Sequence, residues 1–325
     1  MDEIVAVDIG GTHARFAIAT VEAGRVLELR QELTLKSVEH VTLQLAWSAF
    51  ERFVGRPLPK AAGIAVACPV NGELLKLTNN PWIIRPARIP AELGIDRFVL
   101  INDFGAVGHA VAQVRQEHLL HLCGPDRPLP EQGVITVVGP GTGLGVAHVL
   151  RRGGLQWVSE TEGGHIDFAP LDELEDVMLT RLRRLLRRVS TERVVSGPGL
   201  TNIYESLAAI EGIPAQAYDN RALWTAALEG SDRLAEASLQ RFCLCLGAVA
   251  GDLALAHGAT GVVIAGGLGL RLVDHLPRSG FSQRFIAKGR FEAMMTDIPV
   301  KLITYPQPGL FGAAAAYLAK YAPAA

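Results

Sequence analysis

One short pattern occurs twice in this chain: a buried strand, a turn rich in glycine that carries a threonine, and a second strand. The first copy comprises Ile4–Asp8, the turn Gly10-Gly11-Thr12 and the returning strand Arg15–Thr20. The second comprises Val134–Val138, the turn Gly139–Gly145 and the returning strand Val146–Leu150. A strand that turns back on itself through glycines forms a β-hairpin. Because the two threonines are 130 residues apart, the pattern predicts two similar α/β halves that face each other.

Both turns are suited to bind phosphate groups. Glycines let the backbone approach a ligand closely and direct bare N–H groups at anionic oxygens. The candidate phosphate-binding residues are Gly10, Gly11, Thr12, Gly139, Gly141, Thr142 and Gly143. Asp8, just before the first turn, suits a hydrated Mg²⁺ that rides on phosphates. Each turn taken alone also fits an ordinary tight turn.

Two common phosphate-binding motifs do not occur in the sequence. No GxxxxGK[ST] segment is present, which excludes a P-loop protein. A GxGxxG motif begun at Gly139 or Gly141 places Leu144 or Val146 at its last glycine position, which excludes the Rossmann fingerprint. A further glycine pair, Gly266-Gly267, follows an apolar strand and would let adenine and ribose lie against the backbone.

Polar side chains follow other predicted strands. Asn102-Asp103 ends the strand that begins at Arg97, and ligands of α/β sheets bind beyond the carboxyl ends of strands. A carboxylate and an amide there could hold the hydroxyls of a polyol, with Asp103 accepting a proton from one of them. An Asn-Asp turn that merely ends the strand is the alternative.

A second polar group lies between residues 160 and 192. Glu162 and His165 flank a glycine pair, and Glu192 precedes a segment, 193–199, that reads as a strand. Because no third zinc ligand with suitable spacing is apparent, hydrogen bonding to sugar hydroxyls is the simpler use of these side chains.

Hydrophobic periodicity predicts the remaining elements. Helices are expected at 41–55, from Gly105 onward, at 171–189 and at 309–322, and a further buried strand at 63–70. The apolar side of the helix at 41–55 includes Phe53, and the stripe of the helix at 171–189 includes Leu171, Leu185 and Val189. The second half of that helix carries five arginines, which we interpret as a solvated helix end and not as a nucleic-acid site.

Composition narrows the class of protein. The chain has 325 residues, 49% of them hydrophobic, and a net charge of −2, which disfavours a polybasic nucleic-acid or membrane-surface protein. Four cysteines are too few for a disulfide scaffold, and the Cys243-x-Cys245 pair is interpreted as core thiols. The apolar stretch Leu253–Leu270 fits a helix end, a turn and a core strand better than a membrane span. No signal peptide is visible, so a soluble cytoplasmic protein is expected.

Taken in order, these segments resemble the bacterial glucokinases, the hexokinase-like, non-zinc branch of the actin/Hsp70/sugar-kinase superfamily. The segments that carry the resemblance are VDIGGTHARFAI, INDFGAVGHAV, VVGPGTGLGVAHV, EGGHIDFAP, ERVVSGPGLTNIYESL and IAGGLG. His13 stands where well-known members have Asn. The cysteine-rich zinc segment of the related ROK kinases is missing, which argues against a ROK-type kinase or repressor.

The resemblance implies a role for each matching residue. It makes Asp103 the catalytic base, which orients the 6-hydroxyl of glucose and accepts its proton late. It implies glucose contacts from Asn102, Asp103, Glu162, His165 and Glu192. It places the phosphates of ATP between the two Gly-Thr turns, adenosine at Gly266-Gly267, and Mg²⁺ near Asp8, which would hold the ion through water. An unperturbed Asp has a pKa near ~3.9, so this base is expected to be weak.

The resemblance also implies an α/β fold of two domains, actin- and hexokinase-like (ribonuclease H-like), with an interdomain cleft. The smaller domain would comprise residues 1–113 and the C-terminal helix, 309–325, and the larger one residues 114–308. A homodimer is expected, because the chain is apolar and such kinases often pair. Three alternatives stay open: a hexokinase of broader specificity, a non-catalytic sugar sensor on the same fold, and a chaperone-like ATPase.

Overall fold

The computed structural model describes residues 1–77 and 80–321 and divides the chain into two compact units. The first unit contains Met1–Arg115, Val158–Glu160 and the chain from Tyr305 onward. The second contains Gln116–Trp157 and Thr161–Thr304. Residues 322–325, which the sequence analysis assigns to the C-terminal helix and the smaller domain, lie outside the described residues.

The described chain folds into thirteen strands and eleven α-helices, with short 3₁₀ turns between them. The strands are β1 Asp2–Ile9, β2 His13–Glu22, β3 Arg25–Lys36, β4 Ala61–Val66, β5 Leu75–Lys76, β6 Ile83–Ile84, β7 Arg97–Asn102, β8 Leu119–Cys123, β9 Gly133–Pro140, β10 Leu144–Arg152, β11 Leu155–Thr161, β12 Ala259–Ile264 and β13 Val300–Ile303. The helices are α1 Leu43–Val54, α2 Ile89–Leu93, α3 Asp103–Gln113, α4 Glu173–Leu186, α5 Gly197–Glu211, α6 Asn220–Glu229, α7 Arg233–His257, α8 Gly266–Arg271, α9 Phe281–Ile286, α10 Glu292–Thr296 and α11 Pro308–Tyr321.

The sheet of the first unit has the strand order β3-β2-β1-β4-β7. Strand β1 pairs antiparallel with β2 and parallel with β4, and β4 pairs parallel with β7. One face packs large side chains of α1, such as Trp47 and Phe50, against Phe16 and Ile64. On the other face α11 and α3 come so close that a Cβ at Gly312 would lie 1.7 Å from the Ala106 carbonyl oxygen. Small residues therefore bring two helices directly onto this sheet.

The sheet of the second unit has the order β11-β10-β9-β12-β13-β8. Strand β9 pairs antiparallel with β10 and parallel with β12, and β12 pairs parallel with β13. Helix α7 is long and apolar enough to cross a membrane by length and composition, but 67% of its most apolar window is buried inside the protein. Buried Cys243 and Cys245 lie on it, which confirms that they are core thiols. We therefore describe α7 as the central core helix of this unit.

The two sheets share one plan. In each, the strand before the Gly-Thr turn lies in the middle, the returning strand lies on one side, and two parallel strands follow on the other. Both Gly-Thr turns join antiparallel neighbours, as expected for hairpins. The prediction of two similar halves is thus confirmed at the level of strand order.

Other predictions were wrong in detail. Phe53, Leu171 and Leu185 are 52%, 45% and 62% exposed, so they do not belong to the buried faces assigned to them. Val189 is buried but lies beyond the end of α4. The segment 193–199 is not a strand, because a 3₁₀ turn and the start of α5 occupy it. Strands β3, β5, β6, β8, β11 and β13 were not predicted.

Candidate active site

Three parallel strands of the first unit end at the same edge of its sheet and position Asp8 and Asp103 there. Asp8 pairs in register with Ala65 of β4, and Ile101 of β7 pairs with the same residue from the other side. Asp103 follows β7 directly and opens α3. Asp8 lies close enough to Asp103 for its negative charge to raise the pKa of Asp103.

Asp103 is a much weaker acid than an ordinary aspartate. Burial, followed by the negative charge of Asp8, raises the pKa of Asp103 to about 6. A hydrogen bond at 2.8 Å from the Phe104 N–H to Asp103 Oδ1 opposes this rise only in part. The ordinary acidity assumed for Asp103 in the sequence analysis is therefore wrong. The carboxylate is a stronger base than its residue type indicates, and it is still mostly ionised at neutral pH.

Asn102 caps the helix that Asp103 begins. Its Oδ1 accepts hydrogen bonds from the N–H groups of Phe104 at 2.8 Å and Gly105 at 3.3 Å, as in an ordinary N-cap. Its Nδ2 donates to the Cys68 carbonyl oxygen at 3.4 Å, and among residues 1–77 and 80–321 its second hydrogen meets no acceptor in hydrogen-bond geometry. The alternative of a strand-ending turn thus describes the backbone correctly, while the amide keeps one donor for a ligand.

Arg15 is a site residue that the sequence analysis missed. It lies directly across the hairpin from Asp8, and its Nη1 donates to Asp8 Oδ2 at 3.1 Å. Burial raises the pKa of Asp8, and the guanidinium opposes that rise. The signal was available, because a hairpin closed around Gly10–His13 brings residues 8 and 15 opposite each other. Helix α11 starts beside this pair, since a Cβ at Gly309 would lie 2.7 Å from Asp8 Oδ2.

In the first Gly-Thr turn, the carbonyl groups of Gly10 and Thr12 point into the protein. The Gly10 oxygen accepts a hydrogen bond from Asn80 Nδ2 at 2.8 Å, and the Thr12 oxygen accepts one from the Ser37 N–H at 3.0 Å. Within residues 1–77 and 80–321, the N–H groups of Gly11 and Thr12 have no hydrogen-bond partner. Two adjacent donors are therefore available to an anionic ligand.

The second Gly-Thr turn is built on the same principle. The Gly141 oxygen accepts a hydrogen bond at 2.7 Å from the N–H of Gly197, the first residue of α5. In the part of the chain that the structure describes, the Thr142 N–H has no partner. Gly266, with a φ of +79°, lies against this turn, because a Cβ there would be 2.6 Å from the Pro140 oxygen. The predicted adenosine segment and the second phosphate turn are thus neighbours.

The three side chains predicted to bind glucose in the second unit lie around the same turn. Glu192 Oε2 accepts a hydrogen bond from the Leu144 N–H at 2.9 Å. Glu162 precedes a 3₁₀ turn, Gly163–His165, that ends with His165. Gly164 in this turn packs on the Leu144 carbonyl, because a Cβ there would lie 2.1 Å from its oxygen. His165 Nε2 and Glu162 Oε2 are 3.8 Å apart, and both side chains are largely exposed. They are free to contact a polar ligand.

Each unit thus carries one Gly-Thr turn with open N–H donors at the carboxyl edge of its sheet. The first unit adds a carboxylate with a raised pKa, and the second adds polar side chains suited to hydroxyl groups. Donors for phosphate together with a base are the equipment of a phosphotransferase, an enzyme that moves a phosphoryl group onto a hydroxyl acceptor.

Comparison with known proteins identifies the family within this class. The Glucokinase family model matches residues 5–320. The chain is similar to a glucokinase of Zymomonas mobilis, with 67% identity over 98% of each chain. It is also similar in structure to a glucokinase from an Antarctic psychrotroph (TM-score 0.87, 34% identity, 98% of this chain and 99% of that one). A ROK family glucokinase from Streptomyces griseus, solved with glucose and AMPPNP, shares the fold (TM-score 0.61, 18% identity, 96% and 98% covered). The chain belongs to the glucokinase family.

Proposed function

We propose that this chain transfers the γ-phosphoryl group of ATP to the 6-hydroxyl of D-glucose, giving glucose 6-phosphate and ADP. Membership of the glucokinase family and 67% identity to the Zymomonas enzyme support this reaction. The structural observation that carries it is Asp103, a carboxylate with a pKa of about 6 at the end of a strand and beside a phosphate-type turn.

In this proposal five side chains bind glucose. They are Asn102, Asp103, Glu162, His165 and Glu192. The open donor of Asn102 and the largely exposed Glu162 and His165 support these roles, since sugar hydroxyls need both donors and acceptors. Glu192 uses one carboxylate oxygen on the Leu144 N–H, which leaves the other to accept from a hydroxyl group.

The phosphates of ATP would contact the two Gly-Thr turns. The residues concerned are Gly10, Gly11, Thr12, Gly139, Gly141, Thr142 and Gly143, with adenosine against Gly266 and Gly267. The open N–H groups of Gly11, Thr12 and Thr142 support this assignment. They are fixed before the reaction, so they stabilise the negative charge of the transition state at little reorganisation cost.

Asp8 would hold Mg²⁺ through water. One of its oxygens is engaged by Arg15, so the residue presents a single carboxylate oxygen, which fits an ion that keeps most of its own water. When bound, Mg²⁺ offsets the charge of the phosphates. Gly309 packs directly against this carboxylate, because a Cβ there would lie 2.7 Å from Asp8 Oδ2.

The chemical role proposed for Asp103 follows from its basicity. The carboxylate accepts a hydrogen bond from the 6-hydroxyl and orients the oxygen toward the γ-phosphorus. As the new P–O bond forms and the bond to the ADP oxygen breaks, the hydroxyl proton moves to Asp103. With a pKa of about 6, the carboxylate is largely ionised at pH 7 yet binds a proton more readily than an ordinary aspartate.

The finer fold assignment is part of the proposal: two domains of the actin/hexokinase-like, ribonuclease H-like class, with a cleft that closes on the substrates. The strand order shared by both sheets supports it. We assign the smaller domain to residues 1–113 and 309–325 and the larger to 114–308. We also propose that the protein is cytoplasmic and forms a homodimer. The molar mass from light scattering of the purified protein tests the dimer directly.

A coupled assay of ADP release tests the function. We expect turnover that depends on glucose, ATP and Mg²⁺ together, with glucose giving the highest kcat/KM in a panel that includes mannose, fructose and glucosamine. Comparable values for several hexoses would indicate a broader hexokinase. Glucose binding without turnover would refute the proposal and favour a sugar sensor.

A further inference from the structure

The side chain of Asn80 makes three hydrogen bonds around the first Gly-Thr turn. Its Nδ2 donates to the Gly10 oxygen at 2.8 Å and to Ser37 Oγ at 3.0 Å. Its Oδ1 accepts from the Trp82 N–H at 2.9 Å. Both amide hydrogens and the carbonyl oxygen are therefore used, and this fixes which way the amide points.

The anchor of this amide is rigid. Trp82 is 1% exposed, and its Nε1 donates to the His40 oxygen at 2.7 Å. Ser37 is fully buried, and its N–H holds the Thr12 oxygen. Asn80 thus connects the turn to a fixed part of the core, although it is 70 residues away in the chain.

The bond to the Gly10 oxygen sets the direction of the Gly11 N–H. A trans peptide group is planar, so its C=O and N–H point in opposite directions. The described chain contains no cis peptide bond. When Asn80 draws the Gly10 oxygen inward, the Gly11 N–H in the same peptide group must point outward.

This peptide group needs such a restraint more than most. It joins two glycines, the residues with the least restricted backbone, so rotation of the whole peptide plane meets little steric resistance. In the second turn a neighbouring peptide group, between Gly141 and Thr142, is held by the backbone N–H of Gly197. In the first turn it is a side chain, that of Asn80, that holds a peptide oxygen in place.

We propose that Asn80 is a positioning residue for phosphoryl transfer: it orients the Gly10–Gly11 peptide group so that the Gly11 N–H donates to a phosphate oxygen of the nucleotide. Asn80 acts through the turn and does not touch the substrates. The inference rests on the proposed use of ATP.

The test compares Asn80→Ala with Gln113→Ala. Gln113 is a matched control, because its amide also donates to a glycine oxygen in a hairpin of the first unit (Gly24, 3.2 Å) and accepts from an N–H (Val26, 3.2 Å). That hairpin lies at the other end of strand β2, which is roughly 30 Å long. For both variants, calorimetry measures the Kd of AMPPNP and of glucose, and steady-state kinetics measure both KM values.

We expect Asn80→Ala to raise the Kd of AMPPNP and the KM of ATP about tenfold, the effect of one hydrogen bond to a charged group. The Kd of glucose should stay within about twofold. Gln113→Ala should leave nucleotide binding unchanged, even where both variants lose similar thermal stability. Equal nucleotide effects in the two variants, or none in Asn80→Ala, would overturn the inference.

Two further variants keep the test decisive if Asn80→Ala folds poorly. Asn80→Asp keeps the size and the Trp82 bond but places a carboxylate oxygen against the Gly10 oxygen, so nucleotide binding should weaken at least as much. Ser37→Ala removes the other acceptor of Nδ2 and keeps the Gly10 bond, so nucleotide affinity should change less than twofold. A wild-type chain that fails to phosphorylate glucose would refute the proposed function. In that case the ratio of the AMPPNP Kd of Asn80→Ala to that of the wild type still tests the role of Asn80.

Discussion

The two Gly-Thr turns have the same backbone plan but differ in the charges around them. In the first, Asp8 stands four residues before the threonine, pairs with Arg15 and influences Asp103. In the second, the position four residues before Thr142 is the fully buried Val138. The repeated backbone thus supplies open N–H groups suited to an anion twice, whereas the candidate base and cation ligand occur once.

The supports of the two turns differ as well. A side chain, Asn80, holds the Gly10 oxygen, whereas a backbone N–H, that of Gly197, holds the Gly141 oxygen. One substitution can remove the first support, but no substitution other than proline removes a backbone N–H. We therefore expect the first turn to be more sensitive to single substitutions at a distance, and the second to depend mainly on its own residues.

The largest expected effect is that of removing the candidate base. Asp103→Asn should lower kcat about 10³-fold, within the usual range for general base catalysis, because an amide cannot accept the hydroxyl proton. Calorimetry should show glucose binding within a few-fold of the wild type. Asp96→Asn, an exposed carboxylate just before the other end of β7, is the control and should retain full activity. Near-normal turnover of Asp103→Asn would show that Asp103 is not the base, so the first turn would have no catalytic carboxylate to distinguish it from the second.

Asp103 of the first unit should give the reaction a pH dependence. The carboxylate acts only when ionised, and its pKa is raised to about 6, so kcat/KM for glucose should fall about tenfold per pH unit below pH 6. An aspartate of ordinary acidity would stay active down to about pH 4. A profile that stays flat to pH 5, measured with saturating Mg²⁺ and ATP, would contradict the raised pKa.

In the second unit the corresponding carboxylate should matter for binding more than for chemistry. Glu192→Gln keeps an oxygen that can accept from the Leu144 N–H but loses the charge that a sugar hydroxyl would favour. We expect the KM of glucose to rise about tenfold with a small change in kcat, and the pH profile to keep its inflection near 6. A loss of kcat equal to that of Asp103→Asn would show that the chemistry is shared between the units.

The smallest effect should separate two glycines of the second turn. A Cβ at Gly143 would lie 2.4 Å from Glu192 Oε2, whereas one at Gly141 meets nothing within 4 Å among the described residues. Gly143→Ala should therefore displace Glu192 and raise the KM of glucose roughly fivefold, the weakening of about one neutral hydrogen bond. Gly141→Ala should leave the KM of glucose and the melting temperature unchanged. Identical glucose kinetics in the two variants would show that Glu192 does not bind the sugar.

Local patterns predicted the parts of the structure that depend on neighbouring residues. Glycines after an apolar run identified both hairpins, and Asn102-Asp103 at a strand end identified the sheet edge at which Asp8 and Asp103 lie together. The stripe assigned to α4 was right for Met178 and Leu182 but wrong for Leu171 and Leu185, because burial depends on what packs against a helix. Its buried face includes Glu175, which pairs with Arg241 and Arg284, residues 66 and 109 positions further on. No local periodicity contains that information.

The chemistry of the site was predictable only in part for the same reason. The residue type of Asp103 is in the sequence, but its pKa depends on burial and on Asp8, which is 95 residues earlier. Asn80 carries no motif of its own, and its role follows only from the contact with Gly10. Arg15 is the exception, because the register of the hairpin places it opposite Asp8.

A crystal structure of this chain with glucose, AMPPNP and Mg²⁺ tests the central claim most directly. The account predicts phosphate oxygens within hydrogen-bond distance of both the Gly11 and the Thr142 N–H groups, and the glucose 6-hydroxyl within the same distance of Asp103. A nucleotide held by one Gly-Thr turn alone, or a sugar whose 6-hydroxyl lies away from Asp103, would contradict it.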